Sequence, residues 1–131
     1  MGRSREARSS CPIATALDIF GDRWSLVIIR DMLVGKRTFN EFLASREAIT
    51  TSVLADRLGQ LEAAGLIVRR AYQHKPERFD YRLTAAGRAL LPVLQGICRW
   101  AQTNLDGVME PPMGFMSLSL DRPLPGESQA C

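Results

Sequence analysis

The chain has 131 residues, of which 46% are hydrophobic and 24% charged, a composition typical of one small soluble domain. Its formal net charge is +3, and 15 of its 17 basic residues are arginine, whose planar guanidinium suits phosphates and guanine edges. No apolar run approaches the ~20 residues that span a bilayer, and the N-terminus lacks the apolar region of a secretory signal. We therefore expect a cytoplasmic protein with no membrane segment.

The residue types limit the catalytic and metal sites that the chain can form. Its three cysteines, Cys11, Cys98 and Cys131, share no ligand spacing, so neither a four-ligand zinc site nor a disulfide framework is expected. Its single histidine allows no Ser–His–Asp arrangement, and no glycine-rich phosphate loop follows a strand. We expect no enzymatic activity, no metal and no cofactor.

The N-terminal part of the chain predicts two helices behind a polar arm. Residues 1–10 are rich in arginine and serine and predict a flexible basic arm. Pro12 begins the first helix, because proline lacks the N–H group that would be unpaired there, and Gly21 ends it. Asp22 caps a second helix over residues 23–33, which is apolar on most sides and is predicted to lie in the centre of the core.

The middle of the chain predicts a helix, a turn and a second helix. Thr38 and Glu41 have the spacing of a capping box, which begins a short helix over residues 39–45. Thr50 caps the second helix, about residues 51–64, which a glycine ends. Leucines recur on this helix at i, i+4 and i+7, so one stripe faces the core and the opposite stripe faces outward. The leucines are Leu54, Leu58 and Leu61.

The outward stripe of the second helix is small and polar, and an α-helix of this kind fits the major groove of DNA. Asp56 either accepts a hydrogen bond from a cytosine amino group or pairs with a neighbour such as Arg57 or Gln60, and we favour the pairing. Arg57 either clamps a phosphate or packs internally. The candidate DNA-binding residues of this helix are Thr51, Ser52, Ala55, Asp56, Arg57 and Gln60.

Beyond Gly65 the apolar periodicity changes from 3.6 to 2, which predicts two strands, over residues 66–72 and 79–83. The loop that joins them, residues 73–78, is basic and would contact the DNA backbone or minor groove, or else remain solvated. Its candidate DNA-binding residues are His74, Lys75 and Arg78. The order of these elements predicts a winged helix-turn-helix, a mainly α fold with a small β-hairpin wing.

After the hairpin, Thr84 caps a long helix over about residues 85–105, and the proline inside it should kink the helix or mark the end of its first turns. This helix and the first one carry more apolar surface than a small domain can bury. Part of that surface would pack against a second copy in a two-fold dimer, unless the helix folds back on its own core. Residues 11–107 would form the domain. Residues 108–131, rich in Pro, Gly and Ser, predict a flexible tail with a brief strand at 116–120.

Five blocks of sequence carry a family resemblance: CP, ALDIFGDRWSLVIIRDML, FNEFL, VLADRLGQLEAAGLIVRR and YRLTAAGRALLPVLQGICRWA. Together they resemble the HxlR-type transcriptional regulators of the MarR-like winged-helix group, from Cys11 to about Leu105. The resemblance implies a homodimer, formed by the N- and C-terminal helices, whose partner is double-stranded DNA. It also implies that the helix at 51–64 enters the major groove. The outward face of this helix is less basic than is common in the family, which leaves the operator sequence open.

Cys11 is the residue with a candidate redox role. At the start of the first helix, exposed N–H groups favour the thiolate, which is the reactive form, and Arg8 would assist. Some HxlR-type proteins use an N-terminal cysteine to sense quinones, electrophiles or oxidants, sometimes by bridging to the other subunit. By this resemblance Cys98 would be the partner; the alternative is an inert capping thiol.

Two other functions stay open beside a DNA-binding regulator. The first is a small-molecule or electrophile sensor, whose effector pocket would lie between the dimer helices. The second is an interaction module that has kept the winged-helix shape and lost DNA binding, which the acidic Asp56 and the small Gly59 on the outward stripe would allow.

Overall fold

The computed structural model describes residues 8–127, and residues 1–7 of the predicted basic arm, like Cys131, lie outside this range. The elements, in chain order, are α1 (Pro12–Phe20), α2 (Ser25–Leu33), α3 (Phe39–Leu43), α4 (Thr51–Ala63), β1 (Ile67–His74), β2 (Glu77–Leu83), α5 (Ala85–Arg88), α6 (Leu91–Asn104) and a 3₁₀ helix (Phe115–Ser117). Helices α3 and α4 form the helix-turn-helix, and β1 and β2 form the antiparallel wing. The predicted winged helix-turn-helix fold is confirmed.

Helix α2 forms the centre of the core, as its apolar sequence predicts, but it begins two residues later than expected. The carboxylate of Asp22 accepts hydrogen bonds from the N–H groups of Trp24 and Ser25, both at 2.9 Å. The Ser25 hydroxyl donates to the other oxygen of Asp22 at 2.6 Å. These bonds hold a turn before the helix, so residues 23 and 24 precede α2. Its buried apolar residues are Ile28, Ile29, Met32 and Leu33.

The capping signals of the helix-turn-helix are confirmed in detail. Thr38 Oγ1 accepts from the Glu41 N–H at 3.2 Å, and Glu41 Oε1 accepts from the Thr38 N–H at 3.0 Å. Thr50 Oγ1 accepts from the Val53 N–H at 3.4 Å, at the start of α4. Helix α3 ends at Leu43, two residues before the predicted end. The leucine stripe of α4 is fully buried in the core.

The wing is longer and its connection tighter than the sequence predicts. The strands continue through His74 and Glu77, which pair with each other, so two residues rather than six connect them. The Gln73 side-chain amide donates to the Pro76 carbonyl at 3.0 Å and closes this turn. Pairing the backbone groups of the predicted loop satisfies donors and acceptors that a longer loop would leave to water. The strand register is irregular between Ala71 and Gln73.

The long C-terminal helix divides into α5 and α6, with Pro92 in the first turn of α6. The proline was predicted either to kink the helix or to mark the end of its first turns. The second outcome is found, because the first turns form the separate helix α5. Thr84 caps α5 by accepting from the Gly87 N–H at 3.1 Å, and its hydroxyl donates to the Gly65 carbonyl at 2.7 Å. This second bond fixes the end of the wing to the end of α4.

Residues 112–127, the C-terminal segment, pack against the core and form no strand, contrary to the predicted brief strand and flexible tail. Phe115 and Leu124 are buried in the main core. The Gln95 side-chain amide donates to the carbonyls of Phe115 and Leu118 at 3.1 and 3.0 Å. Gly126 adopts a φ of +84°, and a side chain at that position would meet the Arg37 guanidinium at 2.9 Å. The domain boundary near residue 107 stays a prediction.

Candidate nucleic-acid interface

The outward stripe of α4 is exposed along its whole length, because the buried leucines on the opposite side fix the rotation of the helix. Gly59 lies in the middle of this stripe, and a Cβ atom built there has no heavy atom within 4 Å. Nothing in the described fold therefore requires glycine at this position. An exposed helix with this small surface can approach a DNA groove closely. The exposed residues of α4 are Thr51, Ser52, Ala55, Asp56, Gly59, Gln60, Glu62 and Ala63.

Arg57 lies at the side of this stripe and joins two acidic residues. Its Nη2 donates to Asp56 Oδ2 at 2.9 Å, and its Nε donates to the same oxygen at 3.2 Å. Its Nη1 forms an ion pair with Asp22 Oδ1 at 3.2 Å. The predicted pairing of Asp56 with Arg57 is therefore present, and Arg57 is also bound to the turn before α2. Sequence analysis did not identify this second bond, because Asp22 and Arg57 are distant in the chain.

The electrostatics agree with a stable ionic chain. Burial raises the pKa of Asp22, but hydrogen bonds from Ser25 and Trp24 and the charge of Arg57 outweigh it, so the pKa lies below its ordinary value. The pKa of Arg57 is raised, chiefly by its hydrogen bond to Asp56. Burial lowers this pKa, and the negative charge of Asp22 raises it further. Arg57 is thus fully charged and held between two carboxylates at neutral pH.

The wing places its basic residues at an exposed tip. His74, Lys75 and Arg78 are all exposed, and in residues 8–127 neither Lys75 nor Arg78 forms an ion pair. These cations can therefore approach an anionic partner without breaking an internal contact. Their predicted contact with DNA remains a prediction.

The arginines of β1 are engaged within the wing. The Arg69 guanidinium lies over the Phe79 ring, 4.5 Å from its centroid. Arg70 forms an ion pair with Asp80 at 3.4 Å, and Asp80 also accepts from Arg82 at 3.4 Å. These arginines support the strands, whereas the free positive charge of the wing lies at its tip.

A second ionic cluster holds the turn before α4. Arg30, on α2, donates to both oxygens of Glu47 at 2.8 and 2.9 Å, and to Ser45 Oγ at 3.2 Å. It also donates to Asp31, whose side chain is almost fully buried. The guanidinium thus connects the core helix to the turn that sets the direction of α4. Sequence analysis missed Arg30; its signal was a charged pair, Arg30–Asp31, inside an otherwise apolar helix.

The candidate redox residue Cys11 is exposed and precedes α1, and its side chain makes no capping hydrogen bond. Arg8, predicted to assist it, instead pairs with Asp18 at 2.7 Å and donates to the Ala14 carbonyl at 3.0 Å. Cys98 is partly buried on α6. It lines an open apolar groove of about 180 Å³ between α2, α6 and the C-terminal segment. The other lining residues are Leu26, Val27, Arg30, Leu94, Ile97, Pro112 and Phe115.

Residues 8–127 contain neither a metal-binding cluster nor a membrane-spanning helix. No group of three or more His, Cys, Asp or Glu side chains in this range is arranged to hold a metal ion. In the same range, no helix has the length and apolar character needed to cross a membrane.

Comparison with known proteins places this geometry in a family. The profile of the HxlR-like helix-turn-helix matches residues 19–109, which include both helices of the helix-turn-helix and the wing. The chain belongs to the HxlR-like helix-turn-helix family. The family resemblance seen in the sequence is therefore confirmed, and the profile ends before the C-terminal segment.

Relatives of this HxlR-like chain include regulators with solved structures. The uncharacterized HTH-type transcriptional regulator YybR of Bacillus subtilis (strain 168) is 34% identical over 99 residues, which are 76% of this chain and 79% of YybR. The redox regulator HypR in its oxidized form is similar with a TM-score of 0.66 at 35% identity, covering 73% of this chain and 99% of HypR. The reduced transcriptional regulator YodB of B. subtilis has a TM-score of 0.64 at 29% identity, covering 77% and 100% of the two chains.

Proposed function

We propose that this protein is a homodimeric, sequence-specific DNA-binding regulator of transcription that acts in the cytoplasm. The observation that carries the proposal is the exposed, small-sided face of α4, held in a fixed orientation beside a hairpin with a basic tip. In the proposed complex α4 enters the major groove, and the wing contacts the phosphate backbone or the minor groove. Membership of the HxlR-like family and the relatives named as transcriptional regulators support the same function.

Exposed apolar surface on the terminal helices supports the homodimer. No residue of α1 is buried, and its Ile13 is 71% exposed. On α6, Val93, Ile97 and Trp100 are spaced to lie on one side, and Trp100 is 60% exposed. Large apolar side chains clustered in this way favour an interface with another protein surface. A two-fold dimer would present two α4 helices to successive major grooves, about 34–36 Å apart.

A salt titration tests the DNA-binding function. Duplexes selected from the genome of the source organism would be titrated with the purified full chain between about 50 and 300 mM salt. We expect the logarithm of the association constant to fall linearly with the logarithm of salt concentration, with a slope of about −0.9 per neutralised phosphate. Sedimentation velocity on the same samples should show two chains per duplex. Failure to select any duplex would favour an interaction module that has lost DNA binding.

A second function, thiol-based sensing, has its own support. Cys11 is exposed and its thiol is free, and HypR, to which the chain is similar, is a redox regulator. We infer that modification of Cys11 by a quinone or diamide weakens operator binding. The test is to modify the protein quantitatively, confirm the adduct by mass, and measure binding with Cys11→Ser as the control. Unchanged binding after full modification would exclude this role for Cys11.

A further inference from the structure

The chain of contacts Asp22–Arg57–Asp56 runs from the turn before α2 to the exposed face of α4. Asp22 is fixed at its inner end by two backbone N–H groups and the Ser25 hydroxyl. Arg57, with 22% of its side chain exposed, is fixed between the two carboxylates. Asp56, at the outer end, has a side chain that is 59% exposed. The position of the Asp56 carboxylate is therefore determined by the scaffold, although the group itself is accessible.

Asp56 also retains hydrogen-bonding capacity. The two Arg57 atoms that donate to Asp56, Nε and Nη2, both bond to Oδ2. Within residues 8–127 no donor is bonded to Oδ1 of Asp56. Ser52 and Gly59 lie about one turn of helix away on the same side, and both are small. The space around Gly59 is open to at least 4 Å. From the side of Ser52 and Gly59, a base edge in a groove can therefore reach Asp56 without meeting a bulky side chain.

The charge balance explains how a carboxylate can lie on a DNA-binding face. An isolated aspartate would repel phosphates, but the adjacent Arg57 offsets part of its charge. Arg57 is in turn occupied by Asp22, which reduces its availability for a phosphate. In the major groove, a carboxylate accepts from the cytosine N4 amino group. Adenine also offers an amino group, but its neighbouring N7 acceptor repels a carboxylate.

We propose that Asp56 selects cytosine at one position of each half-site, and that Arg57, anchored by Asp22, is the residue that positions it. This inference rests on the proposed DNA-binding function and adds the base that the recognition helix distinguishes. The pairing of Asp56 with Arg57 and the recognition of a base are then compatible, because each uses a different carboxylate oxygen.

Selection of duplexes from a randomised pool tests the role of Asp56. The wild-type chain should select a two-fold motif with cytosine at one position of each half-site. For Asp56→Ala, we expect the preference at that position alone to fall by at least about fivefold. For Asp56→Asn, we expect the preference to move to adenine, since an amide pairs with its N6 and N7. If both variants select the wild-type motif unchanged, the proposal is wrong, while the proposed function stands.

Substitutions at the inner residues test the positioning role. Asp22→Asn keeps an acceptor for the backbone of α2 but loses the charge that holds Arg57. Asp22→Asn and Arg57→Met should both relax the preference for cytosine at the same position, and neither should make the salt slope shallower by as much as a lost phosphate contact would. If Arg57 contacts a phosphate instead, Arg57→Met will make the salt slope of the dimer shallower by about 1.8, that is, about 0.9 per subunit. That result, or an unchanged preference in both variants, would overturn the positioning role.

The same selection distinguishes the two levels of inference. If the wild-type chain selects no motif and its binding does not depend on salt, the proposed function fails, and the role of Asp56 fails with it. If the wild-type chain selects a motif that lacks a cytosine dependent on Asp56, only the present proposal fails. Circular dichroism of each variant, with thermal unfolding, establishes that the compared proteins are folded.

Discussion

Arg30 and Glu47 form a two-pronged ion pair, with Nη1–Oε2 and Nη2–Oε1 distances of 2.8 and 2.9 Å. Arg30 belongs to the core helix α2, and Glu47 to the turn that precedes the recognition helix α4. The pair therefore connects the most buried element of the fold to the element proposed to meet DNA. Two parallel charge-assisted hydrogen bonds restrict both the distance and the angle between the groups they join.

This ion pair predicts a loss of stability in acid. Hydrogen bonds from Arg30 and Ser45, against the opposing effect of burial, lower the pKa of Glu47 from 4.5 to about 2. Because the folded-state pKa is depressed, the stabilisation is fully present above the unfolded-state pKa and disappears as the pH falls toward 2. We expect Glu47→Gln to reduce the free energy of unfolding by about 1 kcal/mol at pH 7, and by much less near pH 2. Urea unfolding at both pH values measures the difference.

Glu110→Gln is the matched control for this experiment. Glu110 is exposed and forms no ion pair within the range 8–127, so its substitution should leave the free energy of unfolding nearly unchanged at both pH values. An equal effect of Glu47→Gln at pH 7 and near pH 2 would show that the carboxylate charge is not what stabilises the turn.

Gly59 should show opposite effects on stability and on binding. A glycine within an exposed helix costs about 0.5–1 kcal/mol relative to alanine, and at Gly59 there is room for a methyl group. We therefore expect Gly59→Ala to raise the free energy of unfolding by about that amount. Because the added methyl group lies on the face proposed to enter the groove, we also expect affinity for the selected duplex to fall severalfold. Thermal unfolding and a binding titration at one salt concentration measure the two effects.

The opposite signs make this substitution its own control, because a damaged fold would lower both quantities. A variant that is more stable and binds as tightly as the wild type would mean that DNA does not approach α4 at Gly59. It would leave the fold assignment intact and contradict only the orientation of α4 in the complex.

Trp100 tests the proposed dimer. Its side chain is 60% exposed on α6, beside Ile97, and would be buried by a second copy. Trp100→Glu would place a charge in that interface, where burial without a partner is unfavourable. We expect sedimentation velocity to show a monomer at concentrations where the wild-type chain is a dimer. We also expect the affinity for the duplex to fall at least about tenfold, because a monomer contacts only one of the two half-sites.

The control for the dimer is Leu120→Glu. Leu120 is an exposed apolar residue in the C-terminal segment and belongs to neither α1 nor α6. The Leu120→Glu variant should stay dimeric and bind DNA as the wild type does. A dimeric Trp100→Glu protein would contradict the assignment of α6 to the interface.

The sequence predicted best those features that depend on neighbouring residues. The capping box of Thr38 and Glu41, the cap at Thr50 and the leucine stripe of α4 all follow from spacings of three or four residues, and the structure contains each of them. Apart from the partly buried Arg57, the candidate DNA-binding residues of α4 also lie on exposed surface, because the same stripe that buries the leucines turns the opposite side outward.

Contacts between distant residues were not predictable in this way. Asp22 and Arg57 meet only because α2 and α4 pack together, and no local pattern in the sequence relates them. Similarly, the only apolar pattern in the C-terminal segment is the alternation at residues 116–120, which predicted a brief strand and gave no sign that Phe115 and Leu124 are buried. Its composition predicted a flexible tail, whereas two buried side chains and the hydrogen bonds from Gln95 fix it to the core.

Phe115 therefore provides a direct test of whether the C-terminal segment belongs to the folded unit. Its ring is 2% exposed and fills part of the core beside α6. Replacing a buried phenylalanine with alanine typically costs 3–5 kcal/mol, and we expect Phe115→Ala to lower the free energy of unfolding by about 3 kcal/mol, since the segment lies at the edge of the core and can partly adjust. Met113→Ala, at a fully exposed position of the same segment, should change it by less than about 0.5 kcal/mol. Urea unfolding of both variants measures this difference, and equal stability of the two would show that the segment does not contribute to the core in solution.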